Sequence, residues 1–446
     1  MDTLVLILGK NWILSIAELI AYFETRGITI SVVDYSRNSV IVDVDKRMDD
    51  QAMVDLQSAL GGCYKTGRLV TTKDKGLVIS AFPKRGSFNQ DTRKKLLQCP
   101  WIQEVWPRPK GQSIHFGVST YPADKNTPIH LKRFTLGMDE GIKKTLQKNG
   151  VKKAAYVAYE EPDRRKEDRP NTALWPQTIA RHGLLRPPNA EILAAFTHNA
   201  LYIGKSVAVY DSMLQRYRDE SRPFISTEIS TSPKLCRTLL TLAAAKPGDT
   251  VLDPFCGTGT LLMEAALLGM RCVGIDLDAN AVQGTISNLK WLGRELEEHL
   301  DFRILHGDAR ESEHLVAEKV DAIAFEPYLG PLYEKRPAES EAVALTKDLA
   351  KLYRDSLNSL AAVLRHDGKI AMTIPVINSK AGKVRIDLDQ MLSDTPFRIH
   401  KMLPGGVFKE DPNKDTPSMI RPNRDLLPER KWGQVVQRQV LTLNIS

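Results

Sequence analysis

Val251-Leu252-Asp253-Pro254-Phe255-Cys256-Gly257-Thr258-Gly259-Thr260 is the stretch on which the reading of this chain turns. An apolar strand ends at Asp253, a glycine-bearing turn follows, and a helix opens at Thr260. Gly257 and Gly259 let a ligand come close to the backbone, and the helix N-terminus offers unpaired amides. Outward from it, residues 272–275 read as a second apolar strand. It ends at Gly274-Ile275-Asp276, which puts Asp276 23 residues after Asp253. That spacing sets a carboxylate where the ribose hydroxyls of a nucleoside-containing cofactor lie.

The same alternation continues downstream. Strands are expected at 250–252, 272–275, 302–305, 320–325 and 369–374, with helices at 260–268, 279–292 and 345–364. Strands apolar on both faces between helices mean a doubly wound parallel sheet, an α/β fold of Rossmann-like type. A long late loop, rich in proline and charge, spans 405–431, and 434–443 supplies a final strand. The third strand runs into Gly307-Asp308-Ala309, where Asp308 either accepts the exocyclic amine of an adenine or caps a helix. The fourth runs into Glu326-Pro327-Tyr328-Leu329-Gly330-Pro331, at the carboxyl ends of the strands and beside the cofactor.

Two cofactors compete for the turn. A nicotinamide dinucleotide wants a third glycine, and the matching position holds Leu262. Asp253 would also repel a pyrophosphate. S-adenosylmethionine has no phosphate and carries an ammonium group that a carboxylate can hold, so it is the expected cofactor. Its binding set is Asp253, Pro254, Phe255, Cys256, Gly257, Thr258, Gly259, Thr260, Asp276, Leu277, Asp308 and Ala309.

Upstream, strands at 4–8, 32–33, 40–44 and 69–72 alternate with helices at 15–26 and 53–60, in the order β-α-β-β-α-β. A Ser15-x-x-Glu18 capping box is read at the start of the first helix. This suggests a small ferredoxin-like module over residues 1–74. Residues 75–210 carry short strands at 114–118, 154–158, 201–202 and 207–209, and helices at 131–148 and 189–196. A linker is expected at 211–222, before a second half at 223–446.

The 446 residues are too many for one ordinary domain, and 42% hydrophobic with 26% charged residues fits a chain that buries real cores. The net charge of +8, with a pI near 9.0, is unevenly placed. Residues 51–200 hold 25 Lys/Arg against 13 Asp/Glu, an excess of +12, whereas 1–50 come to −3 (5 against 8) and 223–446 to −2 (28 against 30). A basic middle segment points to a polyanion. Cys63, Cys99, Cys236, Cys256 and Cys272 are odd in number and form no C-x-x-C pair, which argues against a disulfide framework or structural zinc. The nine histidines show no ligand spacing, and His306 and His314 read as ordinary strand-end and helix residues. Ser119 and Ser232 lack a nucleophile elbow. With no signal-peptide core and no membrane span, the expectation is a cytoplasmic protein without metal.

Asp253 through Thr260 resembles the cofactor motif of class I amino-methyltransferases. Arg222-Pro223 and Ser232-Pro233-Lys234-Leu235-Cys236-Arg237-Thr238-Leu239-Leu240-Thr241-Leu242-Ala243 resemble the segment preceding that motif in THUMP-containing tRNA guanine-N2 methyltransferases. Leu60-Gly61-Gly62-Cys63-Tyr64-Lys65, Phe116-Gly117-Val118-Ser119 and residues 174–183 are similar to landmarks of their N-terminal half. The resemblance implies a THUMP-like RNA-binding domain at 75–210 and methyl transfer from S-adenosylmethionine to N2 of a tRNA guanosine. It further implies that the loop after the fourth strand positions the base.

That family carries Asp-Pro-Pro-Tyr there, whereas this chain has Glu326-Pro327-Tyr328-Leu329. By resemblance the carboxylate and the proline carbonyl accept hydrogen bonds from the target amine while the aromatic stacks on the base. Glu326 lengthens the acceptor arm by a methylene, and Tyr328 arrives one position early. Candidate RNA contacts are Lys132, Arg133, Lys143, Lys144, Lys152, Lys153, Arg164, Arg165, Lys166, Arg169 and Arg181, since neutralised phosphates supply most sequence-independent affinity. The alternatives are an adenine-N6 methyltransferase on RNA or DNA and a catalytically silent RNA binder. No accessory protein partner is identified.

Overall fold

The computed structural model describes residues 2–159, 172–225, 231–409, 420–429 and 433–446. The first of two sheets contains β1 (Asp2–Leu8), β2 (Ile30–Tyr35), β3 (Ser39–Val44), β4 (Cys63–Asp74), β5 (Ser113–Tyr121), β6 (Lys153–Tyr156), β7 (Ala190–Phe196) and β8 (Ala200–Val209). Its order is β2-β3-β1-β4-β8-β7-β5-β6. With helices Trp12–Thr25 and Asp50–Ala59, the first four strands follow the β-α-β-β-α-β order. β4 is long enough to pair with β1 on one side and with β8, from Lys65↔Val209 to Asp74↔Ala200, on the other. The sheet therefore runs unbroken across residue 74.

Three local expectations are corrected. Residues 190–196 are the strand β7, not a helix: all seven are buried, between β5 and β8. A strand covered on both faces is a continuous apolar run with no period to betray it. Ser15 is no N-cap, because the first helix already starts at Trp12; its hydroxyl donates to the Asn11 and Gly62 carbonyls. Residues 211–222 are not a bare linker but carry helix Ser212–Ser221, capped by Asp211. That helix is tied to the second half through Tyr217 to Glu295 and Arg218 to Glu264.

The second sheet contains β9 (Thr250–Asp253), β10 (Arg271–Asp276), β11 (Phe302–His306), β12 (Val320–Phe325), β13 (Leu364–Asn378), β14 (Lys383–Arg385), β15 (Phe397–Ile399), β16 (Leu427–Glu429) and β17 (Val436–Ile445). The order is β11-β10-β9-β12-β13-β17-β15, with β14 on β13 and β16 on β17. The first five strands are parallel. The expectation of a parallel sheet fails at β17, which pairs antiparallel with β13 from Lys369↔Asn444 to Ile377↔Val436. The described residues between β15 and β17 hold a short turn at Gly405–Val407 and the strand β16, and antiparallel pairing needs no crossover.

The two halves share one core. Leu19 and Phe23 of helix Trp12–Thr25 join Leu239 and Leu240 of helix Pro233–Leu242 in a single apolar cluster, all of them fully buried. Each such side chain stabilises the packing by about 1.5–3 kcal/mol. The turn after helix Asp50–Ala59 approaches helix Pro233–Leu242 so closely that a Cβ at Gly61 would overlap the Lys234 carbonyl. Glu18, wholly buried, accepts the Gly61 and Gly62 amides at 2.6 and 2.8 Å. Burial still pushes its carboxyl up to about 7. Lys234 Nζ lies over the rings of Tyr64 and Tyr210, and Arg237 reaches the Ser58 carbonyl. These contacts fix the N-terminal half against the sheet that carries the site.

Among the described residues no helix is long and apolar enough to cross a membrane, and no His/Cys/Asp/Glu group suits a metal. All five cysteines are free and buried.

Candidate functional site

The carboxyl ends of β9, β10, β11 and β12 open onto a cavity of about 490 Å³. It lies where the strand order reverses, with β9 between β10 on one side and β12 on the other. In an open α/β sheet that crevice is where ligands bind. Its lining gathers Asp253, Pro254, Phe255, Cys256, Gly257, Thr258, Thr260, Asp276, Leu277, Asp308, Ala309, Glu326, Pro327 and Tyr328 from four separate strand ends. Gly259 is the one expected residue outside the lining. At φ +77° it shapes the turn and precedes helix Thr260–Leu267.

The turn is braced by its neighbours. Asp276 accepts the Gly257 amide at 2.7 Å and the Asp278 amide at 2.9 Å. Thr285 donates to the Gly257 carbonyl at 2.7 Å. Asp253 is almost entirely buried, and the Phe255 amide at 3.0 Å is the donor it meets among the described residues. Burial raises its carboxyl well above the usual range, and the facing Asp276 and Glu326 push the same way. A buried acceptor with no cation beside it among the described residues suits a cationic ligand group. Asp308 lines the cavity and also caps the turn Ala309–Glu311, accepting the Arg310 amide at 2.9 Å. The hydrogen bond from the Arg310 guanidinium draws the Asp308 carboxyl below its ordinary value.

The loop after β12 is held from behind. Arg438 of β17 donates through Nε to Glu326 Oε2 and, at 2.8 Å, through Nη2 to Oε1. Thr373 of β13 donates to Oε2 at 3.3 Å and Thr231 to Oε1 at 2.9 Å. The Tyr353 hydroxyl donates to the Tyr328 carbonyl at 2.6 Å, so the backbone is fixed while the Tyr328 ring stays 52% exposed at the mouth. No described residue donates to the Pro327 carbonyl. Sequence reasoning missed Thr231, Tyr353, Thr373 and Arg438. Arg438 lies 112 positions from Glu326 and meets it only through the β13–β17 pairing.

The expected RNA contacts lie apart from this cavity. Lys132, Arg133, Lys144, Lys152, Lys153 and Arg181 are exposed, and Lys143 is half-buried with its ammonium over the Tyr156 ring. Arg164, Arg165, Lys166 and Arg169 fall outside the described residues. A second cavity of about 640 Å³ in the N-terminal half includes Trp106, Arg108 and Lys205, but no carboxylate or glycine turn.

Seven strands in the order third-second-first-fourth-fifth-seventh-sixth, the seventh antiparallel, with a strand-end carboxylate cavity, define a class I methyltransferase fold. Residues 221–379 match a family model described as an RMKL-like methyltransferase domain, and residues 101–288 match one described as a DNA methylase. The solved structure of TrmN from Thermus thermophilus shares the fold, with a TM-score of 0.51 at 16% identity over 100% of both chains. A tRNA (guanine(10)-N2)-dimethyltransferase from Methanothermobacter thermautotrophicus is 40% identical over 158 residues, 35% of this chain. This chain spans only 42% of that relative's length. A probable tRNA (guanine(10)-N2)-dimethyltransferase from Methanothermococcus thermolithotrophicus is 30% identical over 173 residues, 38% of this chain and 93% of the relative. The chain belongs to the family of tRNA (guanine(10)-N2)-methyl- and dimethyltransferases.

Proposed function

We propose that this chain transfers a methyl group from S-adenosylmethionine to the exocyclic N2 of a guanosine in tRNA. The observation that carries the reading is the meeting, in one cavity, of the buried Asp253, which accepts only the Phe255 amide among the described residues, and the loop Glu326-Pro327-Tyr328. When bound, S-adenosylmethionine supplies a methyl carbon on a positive sulfonium, which leaves as a neutral thioether once the nitrogen holds the methyl.

The residues present fit that cofactor and oppose a dinucleotide. Asp253 offers a desolvated carboxylate to the methionine ammonium, and Asp276 keeps lone pairs for the ribose hydroxyls. The open face of Gly257 admits the ligand, since even a Cβ added there would meet nothing within 4 Å. Asp308 is paired with Arg310 and Glu326 with Arg438, whereas Asp253 and Asp276 face the cavity with no ion pair among the described residues, an arrangement that disfavours a pyrophosphate.

At the target side, the Pro327 carbonyl and Glu326 accept from the amine, which localises the nitrogen lone pair toward the methyl. The Tyr328 ring stacks on the base. The rate gain comes from orientation and from stabilising positive charge on the nitrogen, whose proton then passes to solvent. The N-terminal half, read as a ferredoxin-like module (1–74) and a THUMP-like domain (75–210), contains the 51–200 segment with its +12 excess and is the tRNA grip. The free cysteines fit a cytoplasmic setting.

Labelled S-adenosylmethionine with bulk tRNA, followed by nucleoside analysis, tests this: label in N2-methylated guanosine is expected. Label in N6-methyladenosine instead would favour the reading to which the DNA methylase match of residues 101–288 lends support. The absence of any labelled nucleoside would leave a silent RNA binder.

A further inference from the structure

Glu326 differs from an ordinary loop carboxylate in having all four of its acceptor positions taken. A carboxylate has about four lone-pair sites, and Arg438 fills two, Thr373 one and Thr231 one. The four donors do not come from the same side. Thr231 lines the cavity with Glu326, whereas Arg438 and Thr373 do not and lie behind it on β17 and β13. Arg438 and Glu326 are each only 8% exposed at the side chain. Arg438 is also 3.9 Å from Glu429 of β16, and Glu429 accepts from Asn11 at 3.3 Å, at the start of the first helix.

We propose that Arg438 is a positioning residue for methyl transfer: from behind the cavity it holds Glu326 in place with Oε1 facing the cleft, where the Thr231 hydroxyl occupies the site the target amine takes. This rests on the methyltransferase reading above. The bidentate fork fixes the plane of the carboxylate as well as its place, which a single hydrogen bond cannot do. It also offsets a charge that would otherwise sit buried near Asp253 with no cation. The Glu-for-Asp change in the loop finds its reason here. The longer arm brings both oxygens to Arg438 on β17, and Oε1 also meets Thr231 on the cleft side.

The test compares the parent with Arg438→Met, Arg438→Lys, Glu326→Gln and the double variant Glu326→Gln/Arg438→Met, in steady-state methylation of tRNA and in thermal melting. Arg438→Met is expected to lower kcat about 100-fold with KM for S-adenosylmethionine and tRNA within about threefold, since the lost interaction orients the reacting group. Arg438→Lys recovers part of that loss. The double variant recovers to within about tenfold of the parent, because a neutral amide can present its oxygen to the cleft and its nitrogen to Thr373 without a cation.

Three results would each overturn the proposal: parental kcat in Arg438→Met, a loss carried by KM alone, or a double variant no better than Arg438→Met. A parent that methylates no tRNA sinks the functional reading and the positioning role with it. Melting then still reports the pair by itself: Glu326→Gln should restore the melting temperature that Arg438→Met lowers, and equal melting of the two Met variants would refute the pairing as well.

Discussion

A single methyl group added at Gly257 or at Gly259 separates the two jobs of the cofactor turn. Both glycines have positive φ, +52° and +77°, so alanine at either costs about 1–2 kcal/mol of backbone strain. Their surroundings differ. A Cβ at Gly259 would sit 2.7 Å from Thr285 Cγ2 and 3.0 Å from its Oγ1. Thr285 is fully buried and holds the Gly257 carbonyl, so it cannot swing aside without releasing the turn. Overpacking of this kind adds about 1–3 kcal/mol. A Cβ at Gly257 meets nothing within 4 Å, but this residue lines the cavity and Gly259 does not. Gly259→Ala should therefore melt below Gly257→Ala by several degrees, at about 2–4 °C per kcal/mol for a domain of this size. Gly257→Ala should keep most of its stability yet bind S-adenosylmethionine about tenfold or more weakly, a loss of about 1.4 kcal/mol. Differential scanning calorimetry and isothermal titration on the two variants decide the matter. Equal melting temperatures, or parental affinity in Gly257→Ala, would refute the placement of the cofactor in this turn.

Asp276→Ala removes both the acceptor for the Gly257 and Asp278 amides and the expected ribose contact; titration should show affinity for S-adenosylmethionine down about 10–100-fold, as for a hydrogen bond to a charged group. Glu18 makes stability pH-dependent. Its folded value, raised by burial from 4.5 to about 7, means that its contribution is complete below about 4.5 and is lost as pH rises through about 7. At about 1.4 kcal/mol per unit the parent should lose up to about 3 kcal/mol between pH 5 and 8 relative to Glu18→Gln, seen as converging or crossing melting temperatures; parallel curves would contradict it. Tyr328→Ala should cost about 1–3 kcal/mol of base stacking, read as a 10–100-fold fall in kcat/KM for tRNA. Tyr328→Phe keeps the ring and should match the parent, since the Tyr353 bond is to the backbone.

The convergence of the strand-end residues on one cavity was legible because its signals are local. A strand end, a glycine turn and a helix start sit within ten residues, and a parallel sheet repeats that unit, so Asp253, Asp276, Asp308 and Glu326 meet by topology alone. The local reading erred where burial erased the pattern. β7 has no alternation to read because both its faces are covered, and the Ser15-x-x-Glu18 box marks a helix interior whose carboxylate turns inward to Gly61 and Gly62. The last layer of the site was not legible. Arg438 and Thr373 approach Glu326 through strands that are distant in sequence and pair antiparallel, a juxtaposition that no spacing along the chain announces. Charge counting located the basic segment, but which of its cations touch RNA depends on surface geometry that composition does not carry.

The proposal is that the cleft receives the N2 amine of a tRNA guanosine, the one at position ten that the relatives' names give. Two transcripts of one tRNA that differ only at the tenth nucleotide test it most directly, one carrying guanosine and the other inosine, which lacks that amine. With S-adenosylmethionine labelled in the methyl group, label is expected in N2-methylated guanosine from the first transcript and none from the second. Equal labelling of both transcripts, or label recovered in any other nucleoside, would contradict it.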